Sequence, residues 1–308
     1  MAPVGKDWGM DFHPPQGGIF AVGTRSHHHL QLDVHGDLPA VLHGLGELRD
    51  AASTVAGVNV VVGFGADLWR RVAPEHTPDD LVPFEAIEGV DGFTMPADQH
   101  DLWLWLHGGG PDSVFDLARH AAISLRPCAE VATEQACFTY QASQDLTGFE
   151  DGTENPTIDE APGVAAIPAG RPGAGGSIVL LQRWVHDLDG FEELELADRE
   201  RVIGRTFHGS LELDASLDVP RAHIRRVVIE DDAGEELEIF RRSVSFGGVL
   251  EHGLQFVAFS ADRARLERML RRMAGLEDGV RDQLTEFSTP TGAAWYVAPP
   301  SDVLRDLL

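Results

Sequence analysis

The chain is almost devoid of lysine. Lys6 is the single one, so 23 of its 24 Lys plus Arg residues are arginines. Mechanisms built on an internal lysine, such as a Schiff base or the phosphate-binding lysine of a P-loop, are excluded. Positive charge is scarce altogether: 24 basic residues face 50 acidic ones, a formal net charge of −26. That balance argues against docking on nucleic acid or an anionic membrane by net attraction. Only Cys128 and Cys137 carry thiols, with no CxxC, no zinc-ligand cluster and no CxxCH for thioether attachment of haem. Two reduced, buried thiols are expected. No run approaches the roughly 18 apolar residues of a membrane span. The N-terminal MAPVGKDWGMDFHPPQGG has neither an apolar signal core nor a twin-arginine pair. The expectation is a soluble cytoplasmic protein. At 308 residues it is long enough for two domains and needs neither disulfide nor metal merely to stay folded.

What is present divides into two similar halves. Residues 155–176, NPTIDEAPGVAAIPAGRPGAGG, are dense in Pro, Gly and Ala and lack either hydrophobic period. They read as a long surface loop between a first domain, 1–154, and a second, 177–308. In the first domain, 18–22, 29–34, 57–64 and 102–106 have strand character. Leu38 to Ala52 has the spacing of an amphipathic helix, and a further helix is expected from Asp112 to Ser124. In the second, strands are expected at 177–184, 223–229, 237–242 and 254–259. Ser260 or Asp262 can cap a helix facing inward through Leu266, Met269, Leu270 and Met273. LWLWLHGGGPDSVFDLARHAAISL and LQFVAFSADRARLERMLRRMAGL both run strand, tight turn, helix. The pattern points to two related α+β halves rather than a doubly wound parallel sheet.

Several motifs have dull readings that suffice. His107-Gly108-Gly109-Gly110 resembles an esterase oxyanion loop, but no G-x-S-x-G elbow accompanies it, which leaves a glycine turn. His27, His28 and His29 cannot converge on one metal from a strand, because adjacent side chains point to opposite faces; a polar strand edge is expected. The acidic stretch from Asp187 to Glu200 reads as a solvated face.

Three segments ask for more. In Gly148-Phe149-Glu150-Asp151-Gly152-Thr153-Glu154-Asn155-Pro156, two glycines bracket a carboxylate. Asp151 then either projects from a fixed loop as a general base or forms a simple Asp-Gly turn. Arg221-Ala222-His223-Ile224-Arg225-Arg226 sets one imidazole, able to bind iron, among arginines able to pair with cofactor anions; a basic surface strand is the alternative. In Ile239-Phe240-Arg241-Arg242-Ser243, alternation sends one arginine to each face, and an inward one needs an anion.

Together, GFEDGTENP, AHIRR about 70 positions later, and FRRSVSFGG resemble the dye-decolourising peroxidase family, most closely its bacterial B-type branch. VIGRT, GLQFVAFSA and the closing LTEFSTPTGAAWYV are similar too. The resemblance implies an α+β fold of two ferredoxin-like domains, of the dimeric α+β barrel type, with antiparallel sheets enclosing a non-covalent haem b, one per chain. It implies a peroxidase that uses hydrogen peroxide to oxidise small organic donors through a ferryl intermediate. Haem handling with iron release is the alternative. By position, His223 matches the axial iron ligand, Asp151 the distal aspartate and Arg242 the distal arginine. Arg205 matches a basic residue near a haem propionate, and Phe259 an apolar cover of the distal face. Glu286 stands where relatives often place an aspartate behind the axial histidine. Val244, two positions after Arg242, replaces a polar distal residue of some relatives. Trp184, Trp295, Tyr140 and Tyr296 are candidates for carrying electrons to the surface. A homo-oligomer is the ordinary expectation. Relatives packaged in a protein shell carry a long C-terminal tail, so packaging is not expected here.

Overall fold

A computed structural model describes residues 13–54, 57–141, 143–214, 216–231 and 233–308. Its first half runs β1 (Ser26–Val34), α1 (Leu38–Thr54), β2 (Val58–Phe64), β3 (Leu102–Gly108), α2 (Pro111–Leu125) and β4 (Ala129–Phe138). The second half begins with β5 (Ser177–His186). It continues through α3 (Leu196–Ile203), α4 (His223–Val227), β6 (Val244–Gly247), β7 (His252–Ser260) and α5 (Arg263–Met273) to β8 (Ser288–Ala298).

Each half is a four-stranded antiparallel sheet in which the first and third strands are central: β2-β3-β1-β4 and β6-β7-β5-β8. This is the ferredoxin-like order, met twice. The halves join edge to edge. Cys137 and Phe138 pair with Phe246 and Ser245, Val297 pairs with Phe64, and β5 pairs with β7, so the two half-sheets, with the short strand Phe240–Arg241 added on β7, join into one closed ring.

Strand alternation then sorts the side chains. Leu30, Leu32, Leu104 and Leu106 point outward beneath α1 and α2, against Val41, Leu45, Leu48, Leu117 and Ala121. Val61, Trp103, Trp105, Val179, Val257, Phe259 and Tyr296 point inward and fill the barrel. The space between the two half-sheets is therefore packed.

Several local expectations change. Residues 18–22 are not a strand: Gly17–Phe20 form a 3-10 turn. The Pro/Gly-rich stretch contains a five-residue helix, Ala161–Ala165, with both alanines buried. The three histidines are no polar edge, because β1 lies between β3 and β4. His27 and His29 enter the barrel, where Trp105 and Trp103 donate through Nε1 to their Nδ1 atoms, each at 3.2 Å. His28 faces the other way and meets Glu134 at 2.9 Å. Burial drives the inner imidazoles toward neutrality: His27 is pushed down to about 4, His107 to about 3, and His29 well below its ordinary value. Cys128 and Cys137 are free and buried. No helix among the described residues is long and apolar enough to cross a membrane.

Candidate active site

The outer face of the second half-sheet is not sealed like that of the first. Trp184 and His186 of β5, Leu254 and Phe256 of β7, and Ser288 of β8 floor a cleft roofed by α4 and α5. Together with the open space at its mouth, the cleft offers about 1480 Å3. Ile224 and Val227 of α4, with Met269 and Met273 of α5, make most of its roof apolar.

His223 opens α4, and this corrects the strand expected at 223–229. The run AHIRRVVI has β character, but tertiary contacts override it. Arg226 donates from Nη1 and Nη2 to the two carboxylate oxygens of Asp278, at 2.9 and 2.7 Å. Arg272 returns hydrogen bonds to the carbonyls of Val228 and Arg225 at 2.6 and 2.7 Å. Gly204, in the left-handed region at φ 93°, lets the chain after α3 pass against Ile224; a Cβ there would meet Ile224 at 2.7 Å.

Behind the imidazole the expectation fails informatively. His223 Nδ1 donates to Asp282 Oδ2 at 2.6 Å, and Asp282 is completely buried. Its other oxygen accepts from Leu284 N at 2.9 Å. Glu286 sits elsewhere, paired with Arg221 and 3.9 Å from Arg281. The 3-10 turn Gln283–Glu286 lies between the two carboxylates, and only Asp282, at its N-terminal cap, is directed beneath the histidine. Among the described residues nothing bonds His223 Nε2, which leaves that nitrogen for the cleft.

Across the cleft stands Asp151. Its loop is held at several points. Asp145 accepts from Thr147 N and Oγ1, at 2.8 and 2.6 Å, and from His186 Nε2 at 3.1 Å, while His186 Nδ1 meets Ser288 Oγ at 2.8 Å. Burial works against an ionised Asp145, but these hydrogen bonds outweigh it and hold the carboxyl below its ordinary range. Asp151 itself is pushed up. Burial is the main cause and Asp145 adds repulsion, while Arg241, the Gly152 N–H and His223 pull the other way. Gly152, at φ 79°, makes the turn just after the carboxylate.

The arginine facing Asp151 is Arg241, not Arg242. Arg241 lines the cleft, whereas Arg242 turns into the barrel, its guanidinium 5.2 Å over Trp105 and bonded to the carbonyls of Ile19 and Ala21. The strand here is only Phe240–Arg241, not the run 237–242, and its parity is fixed from outside. Asn155 clamps the Arg241 backbone, donating to its carbonyl at 2.8 Å and accepting from its N–H at 2.9 Å. The proline-closed motif thus positions both the carboxylate and the guanidinium. Counted from Arg241, the residue two positions on is Ser243; Val244 packs instead with Cys137 and Phe246.

Arg205 does line the cleft, tied to Glu154 and, at 3.2 Å, to Glu212. Phe259 does not: it packs against Trp103 and Trp105 inside the barrel, and Phe256, of opposite parity, takes the cleft face. Of the four aromatic candidates, Trp184 lines the cleft and Tyr140 a neighbouring chamber. Trp295 and Tyr296 are core residues, the latter donating to Gln31 Oε1 at 2.7 Å. Asp282, Asp145, His186 and Asn155 escaped the sequence reading because their roles are hydrogen bonds across 59, 41 or 86 positions.

The arrangement is thus a slot with an apolar roof, a nitrogen ligand on one wall backed by a buried carboxylate, and an Asp–Arg pair on the other. It suits a flat apolar ligand carrying a metal that takes imidazole. Comparison with known proteins agrees. The C-terminal Dyp-type peroxidase family model matches residues 142–303 and the N-terminal one residues 41–139. The models therefore meet ahead of the Pro/Gly-rich stretch. A dye-decolorizing peroxidase from Rhodococcus erythropolis is 32% identical over 88% of this chain and 80% of its own. Among solved structures, an aspartate-to-histidine variant of DypB from Rhodococcus jostii RHA1 in complex with heme superposes with TM-score 0.85. It is 32% identical and covers 97% of this chain and 98% of that one. The encapsulated DyP-type peroxidase from Mycobacterium smegmatis gives TM-score 0.90 at 29% identity, over 96% and 98% of the two chains. Fold, match length and identity agree: the chain belongs to the Dyp-type peroxidase family and is a peroxidase.

Proposed function

We propose that the cleft binds one non-covalent haem b per chain, which His223 would hold through Nε2, and that the protein reduces hydrogen peroxide at the expense of small organic donors. The observation that carries this reading is the pairing of an unbonded His223 Nε2 with Asp151 and Arg241 across one slot. Bound haem supplies the site that takes peroxide and stores two oxidising equivalents. The chain's own residues supply the rest. Asp282 holds the imidazole in the tautomer that presents Nε2 and makes it a stronger donor. Arg205 stands where a haem carboxylate would need a cation, although Glu154 and Glu212 already share it. Asp151, ionised, accepts a proton from peroxide and returns it to the departing oxygen so that water leaves. Arg241 stabilises the negative charge that develops on that oxygen.

Rapid mixing of the haem-loaded protein with peroxide tests the assignment. Asp151→Ala and Arg241→Ala should slow the first change in the haem spectrum by roughly 10²- to 10⁴-fold. Arg242→Lys should leave that rate near wild type. Wild-type rates in both alanine variants would remove the proposed distal chemistry. Turnover of a phenolic donor separates the alternative: a catalyst cycles many times per haem, whereas a haem-handling protein does not.

A further inference from the structure

Two indoles inside the barrel donate to imidazoles. Trp103 and Trp105 of β3 give their Nε1–H groups to Nδ1 of His29 and His27 of β1, at 3.2 Å in each pair. The paired rings lie within 16° and 12° of parallel. Elsewhere Trp69 donates to the His76 carbonyl and Trp184 to the Gln182 amide oxygen, and neither acceptor is a base. Tyr296 stacks on Trp103 at 6.0 Å, but its hydroxyl goes to the Gln31 amide. An accepting Nδ1 puts the proton of each neutral imidazole on Nε2. Burial keeps both rings neutral. Each histidine is therefore a base already aimed at an indole proton.

The pairs differ in where the second nitrogen leads. His27 Nε2 is occupied by Thr24 O and Thr139 Oγ1, each at 3.3 Å, and the Arg242 guanidinium lies 5.2 Å over the Trp105 ring. A cation there opposes positive charge on either partner. His29 Nε2, by contrast, is buried with no hydrogen-bond partner among the described residues. His29 lines a chamber further along the barrel, whose walls include Gln31, Thr133, Gln135, Arg183 and Gln255. Together with the open space at its mouth, this chamber offers about 590 Å3, and its polar walls suit water. Packing alone does not explain a buried donor left idle at such a wall.

Only one strand separates the indoles from the cleft. Phe259 of β7 packs on Trp103 and Trp105 at 6.4 and 6.2 Å, while Phe256 of the same strand lines the cleft. We propose that Trp103 and His29 form a proton-coupled store for one oxidising equivalent that peroxide delivers in the cleft, an inference that rests on the haem reading above. Trp103 passes one electron into the cleft. Its Nε1–H bond breaks, the proton bonds to His29 Nδ1, and the proton on His29 Nε2 leaves to water in the chamber. A neutral indolyl radical and a neutral imidazole remain, so no charge stays buried. An electron from an organic donor and a proton from the chamber reverse the step. Trp105, beneath Arg242 and with the outlet of His27 occupied, stays reduced.

Freeze-quench electron paramagnetic resonance of the haem-loaded protein, mixed with peroxide and no donor, reads the store; absorbance of the same samples reads the cleft. The expected signal is an indolyl radical without a strongly coupled exchangeable N–H proton when H2O and D2O samples are compared. It should be lost in Trp103→Phe and kept in Trp105→Phe. His29→Gln leaves the indole an acceptor but no base, so the neutral radical should be lost there too. A wild-type radical that keeps its N–H proton, or a neutral radical unchanged in Trp103→Phe or His29→Gln, overturns the store. The wild-type spectrum decides even where a variant does not fold. No radical beside a normal absorbance change overturns the store alone, whereas absorbance unmoved by peroxide overturns the cleft reading and the store with it.

Discussion

The two half-sheets share one strand order and end in opposite states. Over the first, α1 and α2, of 17 and 15 residues, lie flat on the outward leucines and close a core. Over the second, the element holding His223 is a helix of five residues, steered by Arg226–Asp278 and Arg272 rather than by an apolar stripe of its own. A short roof pinned by one ion pair and by hydrogen bonds from Arg272 to its carbonyls cannot cover a sheet face, and the uncovered part is the cleft. The same architecture is thus spent on stability in one half and on a site in the other.

Breaking the cleft side should have the largest effect. His223→Ala removes the proposed haem ligand, and the Soret absorbance per chain should fall to background while the circular dichroism of the fold persists. From the sealed side, Leu45→Ala, at a position 2% exposed, should cost about 2–5 kcal/mol of stability. Thermal unfolding would report that loss, and the haem-to-chain ratio at low temperature should not move. If it does, the halves are not separable in this way.

Asp282→Asn sharpens the comparison within the cleft. An amide behind His223 makes a poorer acceptor, so haem affinity should fall about 10- to 100-fold and the reduction potential should rise. Glu286→Gln should change neither, and a rise in potential there would reinstate Glu286 as the residue behind the histidine.

The smallest effect is in pH dependence. Asp151 takes a proton only when ionised, and burial raises its pKa. The rate of the first peroxide step should therefore fall as pH drops through a midpoint above the ordinary carboxylate value of about 4. Arg241 holds that pKa down, so Arg241→Leu should move the midpoint upward as well as lower the plateau. A midpoint unchanged in that variant would show that the two side chains do not feel each other.

Much of this is legible in the sequence. The spacing of Leu38 to Leu48 marks α1, Asp262, one of the two cap candidates, caps α5 by accepting from Arg265 N, and GFEDGTENP does carry a loop carboxylate into a cavity. What misled was parity. Arg241 and Arg242 are chemically alike and adjacent, and which one enters the cleft depends on a register that Asn155 sets from 86 positions away. The same kind of choice separates Phe256 from Phe259, and Asp282 from Glu286. His27 and His29 looked like surface residues because polarity was read locally. Their acceptors are filled by Trp105 and Trp103, 78 and 74 positions along the chain.

The order of residues by itself determined the family, the doubled α+β pattern, the chemistry of the motif segments and the absence of lysine-based catalysis, because these depend on identity and short-range period. Only the tertiary structure decided which member of each candidate pair faces the cleft, that His223 begins a helix, and that Arg242 turns into the barrel. Those outcomes rest on strand register, ring closure and hydrogen bonds between distant segments. Such contacts contribute free energy only once the chain has brought both partners together.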